Sequence, residues 1–335
     1  MKQKTILSFV VLLVVAASLA FYFRQRQPAF PASAIPELLL LSPPDAESLV
    51  YVDLAALRRS PFFAQLLALA PSVGEDPEYR EFVTATGFDY SRDLDRALIV
   101  TRPSPAPAST IAVADGRLDR AKITVYSLRS GKLENRNGEE VYVVSSGRPA
   151  KTISFSFLAP GRILLANSAA LDPKSMRSAP DLSPGQRDRF LRVAGAALIV
   201  LARVDASQEN FSVFGFRSRD LKRALRDVRW VSLGARPDGD SLKVALEAEC
   251  ISADAARELT AAAETLRLLA RVLLADSRSR RQMSPQAAAL AEAILRNGEF
   301  IQKDQRVQLR FELAADSFVS PASSDAGRST PEKAR

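Results

Sequence analysis

The chain has no histidine and a single cysteine, Cys250, among its 335 residues. Without histidine there can be no Ser-His-Asp or Cys-His nucleophilic site, no His-ligated zinc and no imidazole general base. One cysteine rules out an internal disulfide, so the packed core must supply the stability. Its position far along the chain also rules out a lipid-modified amino-terminal cysteine. Glycine is sparse, at 14 residues, and no two lie two apart. The Gly-x-Gly dinucleotide fingerprint is therefore missing, as is a Gly-Lys-Ser/Thr phosphate loop. No serine stands three residues before a lysine, which removes the Ser-x-x-Lys acylation motif. On these grounds we expect no catalytic residue, no cofactor and no metal.

The pI near 9.8 suggests a polyanionic partner, but the charge is badly placed for one. Setting aside residues 1–26 and 317–335 leaves 39 basic and 36 acidic side chains. A body so nearly balanced has no strong cationic field, and nucleic acid is not an expected partner.

What is present begins at residues 5–23, nineteen positions without a charge, flanked by Lys2 and Lys4 on one side and Arg24 and Arg26 on the other. Twelve of the nineteen are Leu, Ile, Val or Phe, close to the ~20 apolar residues that span a bilayer. Two readings fit. A secretory signal would be cut near Ala20, after the small residue Ser18, giving a secreted or periplasmic protein. A retained anchor would place Phe21, Tyr22 and Phe23 in the interfacial belt. The aromatic trio favours the anchor, with the body outside the cytoplasm.

Composition then divides the chain into segments. Residues 1–26 are anchor or signal, 27–36 a proline-bearing linker, and 317–335 a Ser/Pro/Ala-rich disordered tail. Between them lie a first α+β unit at 37–180 and a second at 181–316. In the first, residues 48–54, 97–101 and 110–114 read as strands. Ser60-Pro61 and Asp76-Pro77 open helices, the second closed by Gly87, and a further helix occupies 118–128. Residues 140–145, 152–158 and 162–166 form a meander turned at Pro160-Gly161. In the second, Ser183-Pro184 opens a helix and 197–203 is a strand. Residues 230–235 and 242–249 pair across Pro237-Asp238-Gly239. A helix from Ser252 presents Leu259, Leu266, Leu269 and Leu273, and another follows Ser284-Pro285. Strands at 299–303 and 306–313 end the fold.

An internal repeat is suggested by residues 91–98 (SRDLDRAL) and 218–225 (SRDLKRAL), each after a Gly-Phe pair. The expected fold is thus α+β, two degenerate related units of mixed or antiparallel sheet packed with helices.

Pro43-Pro44-Asp45-Ala46 leading into Val50-Tyr51-Val52-Asp53-Leu54, with Leu57 and Ser60-Pro61, resembles the opening of a group of exported or membrane-anchored bacterial proteins without an assigned activity. Gly87-Phe88-Asp89 with Asp93-Leu94, and residues 163–168 (ILLANS), are similar to that group's later signposts. The resemblance covers most of 37–180. It implies export and a repeated α+β architecture, and it carries no mechanism.

Three constellations could still bear function. Asp89, Asp93 and Asp95 are close in sequence, but Arg92 and Arg96 interleave with them and no calcium-loop spacing is present, so a self-neutralising turn is expected. Asp53 with Glu140 illustrates a carboxylate pair for glycan hydrolysis, the alternative to a binding role. The basic run Arg217, Arg219, Lys222, Arg223, Arg226 and Arg229 could grip anionic lipid headgroups or an acidic envelope protein. Together these features lead us to expect a membrane-anchored, extracytoplasmic, non-catalytic binding or scaffold protein of the bacterial cell envelope.

Overall fold

The computed structural model describes residues 34–64, 77–103, 109–146, 151–177, 182–204, 225–275, 292 and 295–314. The apolar segment 5–23, most of the linker, most of the helix expected after Ser284-Pro285 and the tail 317–335 lie outside the described residues. Among the described residues no helix is long and apolar enough to cross a membrane.

A 3-10 turn at Glu37–Leu41 leads into β1 (Ser48–Asp53), α1 (Leu54–Arg58), α2 (Pro77–Thr86), α3 (Tyr90–Asp93), β2 (Leu94–Arg102) and β3 (Ser109–Gly116). Then come α4 (Arg120–Ser127), β4 (Gly131–Arg136), β5 (Glu139–Ser146), β6 (Lys151–Ala159), β7 (Arg162–Ala166) and α5 (Pro173–Arg177). The remainder is α6 (Pro184–Val193), β8 (Leu198–Arg203), β9 (Val228–Asp238), β10 (Ser241–Cys250), α7 (Ala253–Ala275), β11 (Glu299–Lys303) and β12 (Arg306–Ala314). The fold is α+β.

The twelve strands among the described residues join one sheet in the order β11-β12-β10-β9-β8-β1-β2-β3-β7-β6-β5-β4, and every neighbouring pair is antiparallel. The sheet is continuous across a seam where β1 and β8 pair with Val50 opposite Val200, the strands of 37–180 on one side and those of 181–316 on the other. On either side of that seam three strands run as a meander (β1-β2-β3 and β8-β9-β10). A helix follows each meander, and the final strand of each half, β7 or β12, returns beside the third. Both similar octapeptides fall where the chain passes from the first to the second strand of its half in sequence. Leu98 ends the first copy inside β2, whereas Leu225 ends the second in a turn before β9, and residues 218–224 are outside the described residues.

Local chemistry explains most element ends. Ser183 forms a full capping box with Gln186, with Pro184 at the first helical position. The Ala255 amide donates to Ser252 Oγ at 3.1 Å, and Asp53, Asp89 and Asp119 cap α1, α3 and α4. Gly87 closes α2 at φ +75°, its amide bonded to Val83 O. Ser60 is different: a helical turn does begin at residue 61, but the Ser60 hydroxyl is buried without a partner among the described residues.

Two turns depart from expectation. Asn137-Gly138, both at positive φ, joins β4 to β5, and the sequence reading had no strand at β4. The β9–β10 turn is Gly239-Asp240, and Pro237 sits within β9 opposite Leu242. The proline is tolerated because the β8 ladder ends at Ala235, so no amide is needed on that side.

Strand alternation sends side chains to two faces. One face carries the main core, in which Leu49, Tyr51, Leu98, Val100, Ile199 and Leu201 pack with Leu38 and Leu39 of the 3-10 turn, Met176 of α5 and Phe190 of α6. Among the described residues, the opposite face holds two smaller clusters. Ile123 of α4 meets Tyr142, Phe155, Phe157 and Ile163, while Ala255 and Ala256 of α7 meet Val228, Cys250 and Val307. Each fully buried Leu, Ile or Phe contributes about 1.5–3 kcal/mol, so the main core, which spans both halves, holds them as one body.

Candidate functional site

Beyond the main core, the face that carries Phe190 turns from apolar to charged. Cross-strand pairing puts Trp230 opposite Glu249 and Glu249 opposite Arg306. Ser232, Glu247 and Gln308 align in the next row, and Ala245, Arg310 and Glu299 in a third. These rows exist because β10 and β12 alternate strictly, with Leu246, Ala248, Val307 and Leu309 directed to the other face.

Helix α6 lies over this charged face with Arg189 and Arg192 one turn apart. Arg189 forks Glu249, with Nε and Nη2 each 3.0 Å from a carboxylate oxygen, and its guanidinium stacks 4.3 Å from the Trp230 ring centroid. Arg192 donates from Nε to Glu247 at 2.6 Å, reaches Glu249 at 3.4 Å, and pairs with Asp188 one turn back. The four side chains of the Arg189, Arg192, Glu247 and Glu249 cluster are at most 18% exposed. Further along, burial holds the Arg310 guanidinium below its ordinary value, partly offset by Glu299 and Glu247.

Between α6, the start of α7 and the β11–β12 turn there is an open cleft of about 420 Å³. Asp188, Arg189, Arg192, Glu249, Asp304 and Arg306 line it. Asp304 occupies the two-residue turn at φ +52°, a left-handed conformation that Asp tolerates better than most residues.

The constellations singled out from sequence have other employment. Asp93 accepts from Arg92 at 2.8 Å and Arg117 at 3.1 Å, and those hydrogen bonds, with one from the Asp89 amide, hold its carboxyl far below the usual range. Asp89 caps α3 and accepts from Tyr79 and Ser91, while Asp95 pairs with Arg58. The trio is thus divided among arginines and amides. No group of acids or cysteine poised for a metal ion occurs among the described residues.

The Asp53–Glu140 pair is overturned. β1 and β5 are five strands apart, which at ~4.8 Å per strand is roughly 24 Å, against the ~5–9.5 Å that glycoside hydrolysis requires. Asp53 caps α1 through the Ala56 amide at 2.7 Å, and Glu140 pairs with Arg120.

Of the basic run, Arg217, Arg219, Lys222 and Arg223 lie outside the described residues. Arg226 and Arg229 are exposed, in the turn before β9 and at its start, and neither has a carboxylate partner among the described residues. Cys250 is buried beneath α7, and burial pushes its thiol up to about 11, so it behaves as a small apolar side chain. Sequence reasoning missed the ladder, whose signals were alternating charge on β10 and β12 and the i, i+3 arginines of α6.

No protein-family model matches the chain, and no curated protein does. Three solved structures of the protein TP0453 are similar, in crystal forms IV, III and I. Their identities are 11%, 11% and 9%, with TM-scores of 0.44, 0.43 and 0.41. The alignments cover 84%, 83% and 86% of this chain and 94%, 94% and 96% of theirs. A likeness at this level carries no argument about what the chain does.

Proposed function

We propose that the protein is a membrane-anchored, extracytoplasmic, non-catalytic binding or scaffold module of the bacterial cell envelope, built from two related α+β units. The observation that carries the binding role is the open cleft above the arginine–glutamate ladder. There, Glu247 and Glu249 are held in forked and shared ion pairs with Arg189 and Arg192. The anchor rests on residues 5–23, and the kinship with exported bacterial proteins rests on the motifs at 43–54 and 87–94. The meander–helix–return order on each side of the β1–β8 seam supports two related units.

The test begins with topology. Right-side-out spheroplasts are digested with protease, and intact masses are taken before and after. A full-length chain whose body is degraded from outside, with a cytoplasmic control spared, is the expected result. A protected body in that experiment overturns the assignment. A second contact surface is the basic run from Arg217 to Arg229, supported by the exposure of Arg226 and Arg229. Replacing Arg219, Arg223 and Arg226 by Ala should weaken binding to vesicles containing anionic lipid at low salt, and unchanged binding removes that surface.

A further inference from the structure

The cleft at the foot of α6 is electroneutral as lined: Arg189, Arg192 and Arg306 oppose Asp188, Glu249 and Asp304. These six are not equivalent. Arg189 and Arg192 are committed to Glu249, Glu247 and Asp188. The Glu249 carboxylate directly across from Arg306 is already filled, with Arg189 on both its oxygens and Arg192 on one of them. Arg306 therefore has no carboxylate partner among the described residues, and the Asp304 carboxylate has no cation.

Two uncommitted charges of opposite sign thus stand two residues apart on one hairpin, at the mouth of one cleft. A simple anion placed there would gain Arg306 but face Asp304 and Asp188. A simple cation would meet the reverse. A ligand carrying both signs gains at both ends and leaves the neutral lining neutral. The volume of about 420 Å³ falls within the ~300–1,000 Å³ of small-molecule sites.

We propose that this cleft binds a small zwitterion, its anionic group on Arg306 and its ammonium group on Asp304. The inference deepens the binding-module reading and rests on it. Two sources share this chemistry, a free amino acid or peptide and the phosphoethanolamine of a lipid headgroup.

The test is calorimetric titration of the full chain in detergent micelles with two zwitterions, alanyl-alanine and O-phosphoethanolamine. Acetate and inorganic phosphate serve as anion-only probes and ethanolamine as the cation-only probe. The expected result is saturable binding of at least one zwitterion near millimolar concentration, with each single-charge probe roughly tenfold weaker or worse. Whichever zwitterion binds more tightly identifies the source. Arg306→Gln and Asp304→Asn should each weaken that binding roughly tenfold. Lys303→Gln, on the same hairpin but outside the cleft lining, should leave it unchanged.

Single-charge probes that bind as well as the zwitterions overturn the proposal. So does an absence of saturation up to about 20 mM, and so do Arg306 and Asp304 variants that bind like the parent while keeping its circular dichroism. The probe comparison on the unmodified chain decides the matter even if a variant fails to fold. The envelope reading fails separately, in the spheroplast digest.

Discussion

The Arg189 guanidinium lies 4.3 Å from the centre of the Trp230 ring while its Nε and Nη2 fork Glu249. One side chain of α6 thereby fastens β9 and β10 together from above. Arg189→Ala should cost about 3 kcal/mol in urea unfolding, because it leaves Glu249 only the longer contact to Arg192 and uncovers the indole. Replacing Arg189 by Met and Glu249 by Leu together should cost clearly less than Arg189→Ala alone, since both members of the pair are gone and Arg192 keeps Glu247 and Asp188. Equal losses would mean that packing, not the pair, holds α6 down.

Acid should loosen the contacts of Asp93 and Glu37. The Asp93 carboxyl is held low by Arg92, the Asp89 amide and Arg117, and Glu37 is held low by Arg162. A carboxyl whose folded value lies below its unfolded one, near 3.9–4.3, contributes stability that is fully present above that range. The contribution is lost as pH falls below it. Unfolding free energy measured from pH 7 down to pH 2.5 should fall below about pH 4. Asp93→Asn should start lower and fall less steeply.

At the alkaline end the sign reverses. Burial and the neighbouring Asp53 push the Tyr51 phenol up to about 12, and burial with the Asp89 hydrogen bond does the same for Tyr79. A raised phenol contributes stability that is complete below its unfolded value near 10. That stability disappears as pH rises toward 12. Tyr51→Phe should flatten the decline over that interval, and an unaltered slope would assign it to other groups.

Two glycines separate crowding from backbone freedom. A Cβ on Gly116 would sit 2.3 Å from the Asp93 carbonyl oxygen, so Gly116→Ala must displace backbone and should cost several kcal/mol. A Cβ on Gly138 would meet nothing within 4 Å, but φ is +84° there, so Gly138→Ala should cost only about 1–2 kcal/mol. Thermal unfolding of the pair reads the difference, and equal melting temperatures would contradict the close approach at Gly116.

The seam register can be locked chemically. Val50 and Val200 are direct antiparallel partners, a separation of about 4.5–5.5 Å between Cα atoms that suits a disulfide. A chain with cysteine at both positions should cross-link on oxidation, seen as a shift on a non-reducing gel. Cysteines at 50 and 201 point to opposite faces and should not.

What the sequence disclosed was local. Ser183-Pro184, Gly87 and Pro160-Gly161 act through their own dihedrals and nearest amides, so their elements could be read directly. β4 was missed because an edge strand is blunted by charge: Lys132, Glu134 and Arg136 leave only Leu133 as an apolar signal, although Asn137-Gly138 announced the hairpin. The joining of β1 to β8 depends on residues 150 apart, which no periodicity encodes. The ladder was hidden for the same reason. Arg189 and Glu249 are sixty positions apart, and each alone reads as an ordinary surface charge.

The seam also sets a timetable. A chain made from its amino terminus completes β1 with residue 53, but the strand that covers its outer side ends only at residue 203. For that interval Ser48–Asp53 presents a row of open amides and carbonyls next to an apolar face, a template for another copy of the same segment. Pairing across so many residues is slow to form. The nascent first half is therefore the molecule's aggregation hazard, and a cell that makes this protein must keep that edge guarded until β8 arrives.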